Sequence, residues 1–219
     1  GEGGNLLPFA RLGCDVTGVD IAACRIEEAR RFFREEQARG RFTRQDIFNL
    51  HLPGRGYDII LCHDVLEHIK GKGLLLSLIK GYLNEGGIVF MSFPAWMMPF
   101  GGHQQICSSR VLSHLPYVHL LPKALYRGLI RLAGESEACL DELMSIRSTR
   151  ATIEAFERLV GQQGLAVRDR TLYLVNPHYR VKFGLKPRRL ARPLSGIPWL
   201  RDFLCSSCFY ILQAEDLTT

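Results

Sequence analysis

No stretch of this sequence approaches the ~20 consecutive apolar residues that a bilayer-spanning helix needs. The longest apolar stretches, such as residues 74–79, are broken by polar residues within a few positions. The opening GEGGNLLPFA has neither the basic-then-apolar layout of a secretory leader nor the composition of one. Internal repeats and low-complexity tracts are also missing. The seven cysteines are odd in number and widely scattered, unlike a secreted disulfide framework, so a reducing, cytoplasmic setting is expected. With 47% apolar and 23% charged residues, the composition excludes disorder, collagen-like repeats and a stapled miniprotein. What remains is an ordinary globular chain of 219 residues, room for one principal domain with a lid.

Strand and helix patterns alternate along it. Residues 15–20 read as a short strand, and 22–39 as a helix with Ile26, Ala29 and Phe33 on one face. Residues 57–62 form a nearly continuous apolar run, as buried parallel strands do. A helix over 72–84 and a strand over 88–93, closed by Pro94, follow. Residues 108–150 contain helical segments broken at Pro116 and Pro122, with no strand pattern, and read as an inserted cap. A helix over 152–163, a strand over 165–175 and a last strand over 203–213 complete the order. The expected domains are an α/β cofactor-binding core over 1–107, the cap over 108–150 and the rest of the core over 151–219. Such alternation implies a doubly wound, mostly parallel sheet with right-handed crossovers.

The glycines of residues 1–4 precede a short helix over 6–12, with Asn5 as its expected cap, Pro8 in its first turn and Gly13 at its end. A glycine turn opening onto a helix lets backbone approach a ligand, and Asp20 at the end of the next strand is placed to accept hydrogen bonds from a ribose diol. Asp46 and Ile47, before the strand at 57, can place a carboxylate and an apolar side chain around an adenine ring. The segment Cys62-His-Asp-Val-Leu-Glu-His-Ile69 runs from a strand's carboxyl end into a helix.

Together these segments resemble the class I S-adenosylmethionine-dependent methyltransferases, over residues 1–93 and again in the final strand, which is similar to that family's antiparallel seventh strand. The resemblance implies a seven-stranded Rossmann-like sheet and S-adenosylmethionine as cofactor, contacted by Gly1, Gly3, Asp20, Ile21, Asp46, Ile47 and His63. The VLEHI run resembles the segment after strand four in members acting on small molecules. The family's first strand and first glycine are expected just before Gly1, so the natural protein is expected to be longer. Methyl transfer to an oxygen, nitrogen or carbon nucleophile is implied, with His68 and His103 as candidate bases. Glu67, Trp96, Phe100, His103 and Gln104 are the expected wall of the substrate pocket.

A nicotinamide-dependent oxidoreductase is the enzymatic alternative, but its next fingerprint glycine falls on Leu6. A non-catalytic module of the same fold is the other reading, and cofactor uptake separates the two. No nucleic-acid partner is expected, because the asparagine-proline-proline-aromatic motif of base-modifying members is missing after Cys62. No metal is expected either: Cys205 and Cys208 have no second pair at comparable spacing. The formal charge of +6 matches the six basic residues between Arg180 and Arg192, a segment without an acid, expected as a loop. A small, partly apolar or anionic acceptor and a peripheral membrane contact are compatible with that run and with the leucine-rich cap.

Overall fold

The computed structural model describes residues 1–50 and 56–215. The chain divides into two compact units, Gly1–Gly54 and Arg55–Thr219. In the first, helix α1 (Leu7–Arg11) precedes strand β1 (Thr17–Asp20), helix α2 (Ala23–Glu35) and strand β2 (Arg41–Arg44), with β1 and β2 parallel. Ile26, Ala29 and Phe33 recur at helical spacing and bury the inner face of α2 with Leu7, Val16 and Phe42. The Phe33 and Phe42 rings meet edge to face at 4.7 Å. Asn5 does not cap α1: the N-cap residue is Leu6, whose N–H instead donates to Gly3 O at 2.9 Å in a tight turn. Pro8 and Gly13 take their expected places, Gly13 with φ +85° just beyond the helix.

The second unit is built on a five-stranded mixed sheet. Its elements are β3 (Tyr57–His63), α3 (Lys72–Gly81), β4 (Leu83–Phe93), α4 (Arg110–His114), α5 (Lys123–Leu132), α6 (Glu137–Thr149), α7 (Ile153–Gln162), β5 (Leu165–Val175), α8 (Tyr179–Phe183), β6 (Arg188–Arg189), α9 (Arg192–Ser195), α10 (Leu200–Leu204) and β7 (Ser207–Ala214). The strand order is β3-β4-β7-β5-β6. β4 runs parallel to β3, and β7 is antiparallel to both β4 and β5. The carboxyl ends of β3, β4 and β5 and the amino end of β7 therefore share one sheet edge. Loops leaving that edge supply nearly every group discussed below.

One seven-stranded sheet lacking its first strand was expected; the described residues instead form two ladders, of two and five strands, with the strands at 41–44 and 188–189 unanticipated and several boundaries different from the sequence pattern. β3 pairs only with β4 among the described residues, which leaves Asp58 and Ile59 exposed where a fully buried strand was expected. The last strand begins at Ser207 because residues 200–204 coil into α10, whose Asp202 is anchored elsewhere in the unit. The basic segment is not a plain loop: it forms α8, and β6 pairs with Tyr173 and Val175 of β5.

Phe156 of α7 packs on Phe93 and Tyr210 of the sheet, with ring centroids 4.8 Å apart in each case. Residues 108–150 are helical, as expected, around a core of Leu112, Tyr126, Ile130, Leu140 and Leu143, with Ser109 and Ser136 capping α4 and α6. No helix among the described residues is long and apolar enough to cross a membrane.

Candidate active site

In the first unit, Asp20 and Asp46 follow neighbouring parallel strands at their carboxyl ends. Asp20 closes β1; its Oδ1 accepts the Ala22 N–H at 2.9 Å, and the Gly1 amino group lies on its other oxygen. Burial pushes the Asp20 carboxyl up, but the bonds from Gly1, Ala22 and Ile21 outweigh it and leave the pKa below its usual value. Asp46 accepts from Phe48 N at 3.0 Å and starts a short 3₁₀ turn over Ile47–Asn49. Ile21 stands 66% exposed beside Asp20, an apolar side chain without a core to join. Gly3 has φ +83°, and a Cβ there would come within 3.1 Å of the Phe33 ring, so the turn packs against α2 only because it lacks a side chain. A backbone turn, two strand-end carboxylates and exposed aliphatic surface fit a nucleoside: hydroxyls and amino groups for the acids, a flat base for the isoleucine.

The second unit gathers ionisable groups at the carboxyl ends of β3 and β4. Asp64, just past β3, adopts a left-handed conformation at φ +52°, fixed by its N–H to Ser92 O at 3.0 Å. Its carboxylate accepts from Ser92 Oγ at 3.2 Å and lies 3.1 Å from His63 Nδ1. That partnership raises the His63 pKa above its usual value. The turn Leu66–His68 then buries Glu67 and leaves its Oε2 without a partner, and burial pushes this carboxyl up to about 8. Lys72 donates to Ile69 O at 2.6 Å and to Thr149 O, and burial brings its ammonium down to about 8.

His68 and His103 stand face to edge, ring centroids 5.6 Å apart. His68 lies on the 3₁₀ turn rather than the expected helix, and His103 sits at φ +57° in the loop after β4. Burial lowers both pKa values, and the neighbouring His68 lowers that of His103 further. Two imidazoles on different loops are thus brought together and kept neutral.

Other members of the expected pocket wall serve the loop itself. Gln104 is fully buried and donates its amide to Pro99 O at 2.9 Å and Leu115 O at 3.1 Å. Trp96 is buried against His119, at 4.7 Å between rings. Both are buried, whereas Phe100 is half-buried. Sequence reasoning missed three residues. His119, fully buried and lowered to about 4 by burial, bonds Trp96 O through Nε2 at 2.8 Å. Asp202 accepts from Met97 N at 3.3 Å and Ile153 N at 3.0 Å, clamping the loop to the start of α7. Tyr179 of α8 feels the Asp64 charge, which after burial raises its phenol pKa. Cys107, Glu135 and Cys139 bring ligand atoms within 4.8 Å of one another, but the Glu135 oxygens already accept from Ser108 and Ser109, a clasp between two helices.

Residues 1–87 match the family model described as a methyltransferase domain. Over these residues the chain is similar to a methyltransferase domain. A ubiquinone biosynthesis O-methyltransferase of Chelativorans sp. strain BNC1 is 31% identical over 180 residues, 81% of this chain and 61% of that protein. The chain thus spans about three fifths of the length of that curated relative. Among solved structures, an S-adenosylmethionine-dependent methyltransferase from Clostridium acetobutylicum ATCC 824 superimposes with a TM-score of 0.55 at 14% identity, covering 97% of this chain and 80% of that one. The cyclase SpnF does so at 0.57 and 13%, covering 98% and 72%. These likenesses place the fold of the chain with theirs.

Proposed function

We propose that the protein is an S-adenosylmethionine-dependent methyltransferase acting on a small-molecule acceptor. The observation that carries this reading is the pair of carboxylates, Asp20 and Asp46, at the carboxyl ends of adjacent parallel strands beside the turn at Gly3. Asp20 receives the ribose hydroxyls, while Asp46 meets the adenine edge and Ile21 and Ile47 cover the base. Gly1, where an added Cβ would meet nothing within 4 Å, and the backbone of the turn at Gly3 receive the rest of the cofactor. When bound, the cofactor supplies the activated methyl group on its sulfonium.

The chain's own contribution to the reaction is to orient the acceptor and take its proton. His103 and His68 are neutral above the acid range and serve as the base, and Asp64 is the charge against which the adjacent imidazolium is stabilised. Glu67, protonated at neutral pH, offers a buried O–H donor. The name of the Chelativorans relative supports an oxygen acceptor. The half-buried Phe100 supports one that is partly apolar.

Titration calorimetry tests the reading. S-adenosylmethionine and its demethylated product are expected to bind, and Asp20→Ala to weaken both by about 10- to 100-fold, the effect of losing hydrogen bonds to a charged group. Absence of uptake of either compound by the unmodified chain overturns it.

A further inference from the structure

Two segments of the second unit, residues 108–134 and 171–200, contain ten lysines and arginines and no aspartate or glutamate, which leaves 18 cations against 22 acids in the rest of the chain. The charge is thus concentrated, more sharply than the single run between Arg180 and Arg192 indicates. Only Arg131 among the ten has an ion-pair partner among the described residues, Glu137 at 3.3 Å. The same segments expose large apolar side chains that no core claims. Between residues 181 and 200, Val181, Phe183, Leu185, Ile197 and Trp199 are exposed, Val181 at 85% and Trp199 at 61%. α5 buries Tyr126 and Ile130 and turns Leu125 and Leu132 outward among Lys123, Arg127 and Arg131. The Tyr117 ring of the first segment lies 6.4 Å from that of Phe203, three residues beyond the end of the second.

We infer that this surface docks on an anionic lipid bilayer. Cations alone would suit any polyanion, but here they alternate with exposed aliphatic and aromatic side chains, the composition of surfaces whose apolar groups enter the headgroup boundary while lysine and arginine meet lipid phosphates. Lys182 Nζ lies 5.3 Å over the Phe183 ring, so a cation and an apolar group are presented at one point. The segment leaves the carboxyl end of β5, the sheet edge that also carries His63 and the loop after β4, and Tyr179 at its start senses Asp64. The bilayer surface would therefore adjoin the cluster of ionisable groups. This docking does not depend on the proposed methyl transfer.

The test is flotation of the full chain with vesicles of equimolar phosphatidylglycerol and phosphatidylcholine, compared with phosphatidylcholine alone. Binding to the anionic vesicles at low salt is expected, weakened by salt and by about fivefold for each cation lost, as in Lys182→Glu and Lys186→Glu. Val181→Asp with Phe183→Asp is expected to abolish the salt-resistant part. The chain has two tryptophans; Trp96 is buried, so a blue shift of emission and quenching by brominated lipid report Trp199 entering the bilayer. This readout needs no variant and survives any folding defect. Absence of anionic-vesicle binding, equal binding to both vesicle types, or no change at Trp199 overturns the inference. So does salt-sensitive retention of duplex DNA or tRNA without vesicle binding, which would assign the surface to nucleic acid.

Discussion

His68 and His103 are both held below the usual histidine value, burial being the first cause for each, so a pair of rings that favour the neutral form stands at the carboxyl ends of β3 and β4. His63, a few residues before His68, is raised by its bond to Asp64. Histidines on one short segment are thereby shifted in opposite directions. Imidazole nitrogen-15 spectra over a pH series are expected to show His63 losing its proton above the usual histidine pKa, and His68 and His103 doing so below it. His68→Asn is expected to raise the His103 midpoint, because the His68 charge is one of the two forces depressing it; an unmoved midpoint would show the rings to be uncoupled. Asp20, Asp46, His68 and His103 were legible because strand ends and loop composition mark them in one dimension. His119, Asp202 and Tyr179 were not, since each acts on a group far away in sequence: 105 residues separate Asp202 from Met97.

At the scale of elements, the loop after β4 holds its shape through contacts that side-chain character alone does not announce. Gly102 is packed so closely that a Cβ would lie 2.2 Å from His119 Cβ, and Trp96 N donates to Ala151 O at 2.9 Å. Asp202 completes the clamp by accepting two backbone N–H groups, one of them at the first turn of α7, where helix donors lack internal partners. Asp202→Ala leaves both donors buried, at a cost of about 1–3 kcal/mol each. Burial raises the Asp202 carboxyl from 3.8 to about 6, so its contribution is fully present below 3.8 and declines as pH rises through about 6. Thermal melts are therefore expected to show a larger drop for Asp202→Ala at about pH 4 than at about pH 7. A pH-independent difference would remove the carboxylate from this role. The periodicities of α2, α7 and β5 gave these elements from sequence within a few residues. The short α8, α9 and α10 escaped because each is too brief for a helical pattern, and β6 because two residues cannot alternate.

Across the whole molecule, both ladders end in edge strands among the described residues: β1 and β2 pair only with each other, β3 only with β4 and β6 only with β5. Ile59, 42% exposed on β3, lies along such an edge, where unpaired backbone groups invite another strand. Sedimentation velocity at rising concentration is expected to show Ile59→Lys self-associating less than the unmodified chain. Identical profiles would mean that the edge is not adhesive.

The position of β7 carries a consequence for synthesis. It is the last strand described, yet it lies in the middle of the five-stranded sheet, antiparallel to β4 on one side and β5 on the other. Until residues 207–214 have left the ribosome, β3–β4 and β5–β6 have no ladder between them, and the Phe93–Phe156 pair lacks the Tyr210 ring that packs on both. The second unit therefore closes from its end backward, and its nascent halves are the species a chaperone would meet.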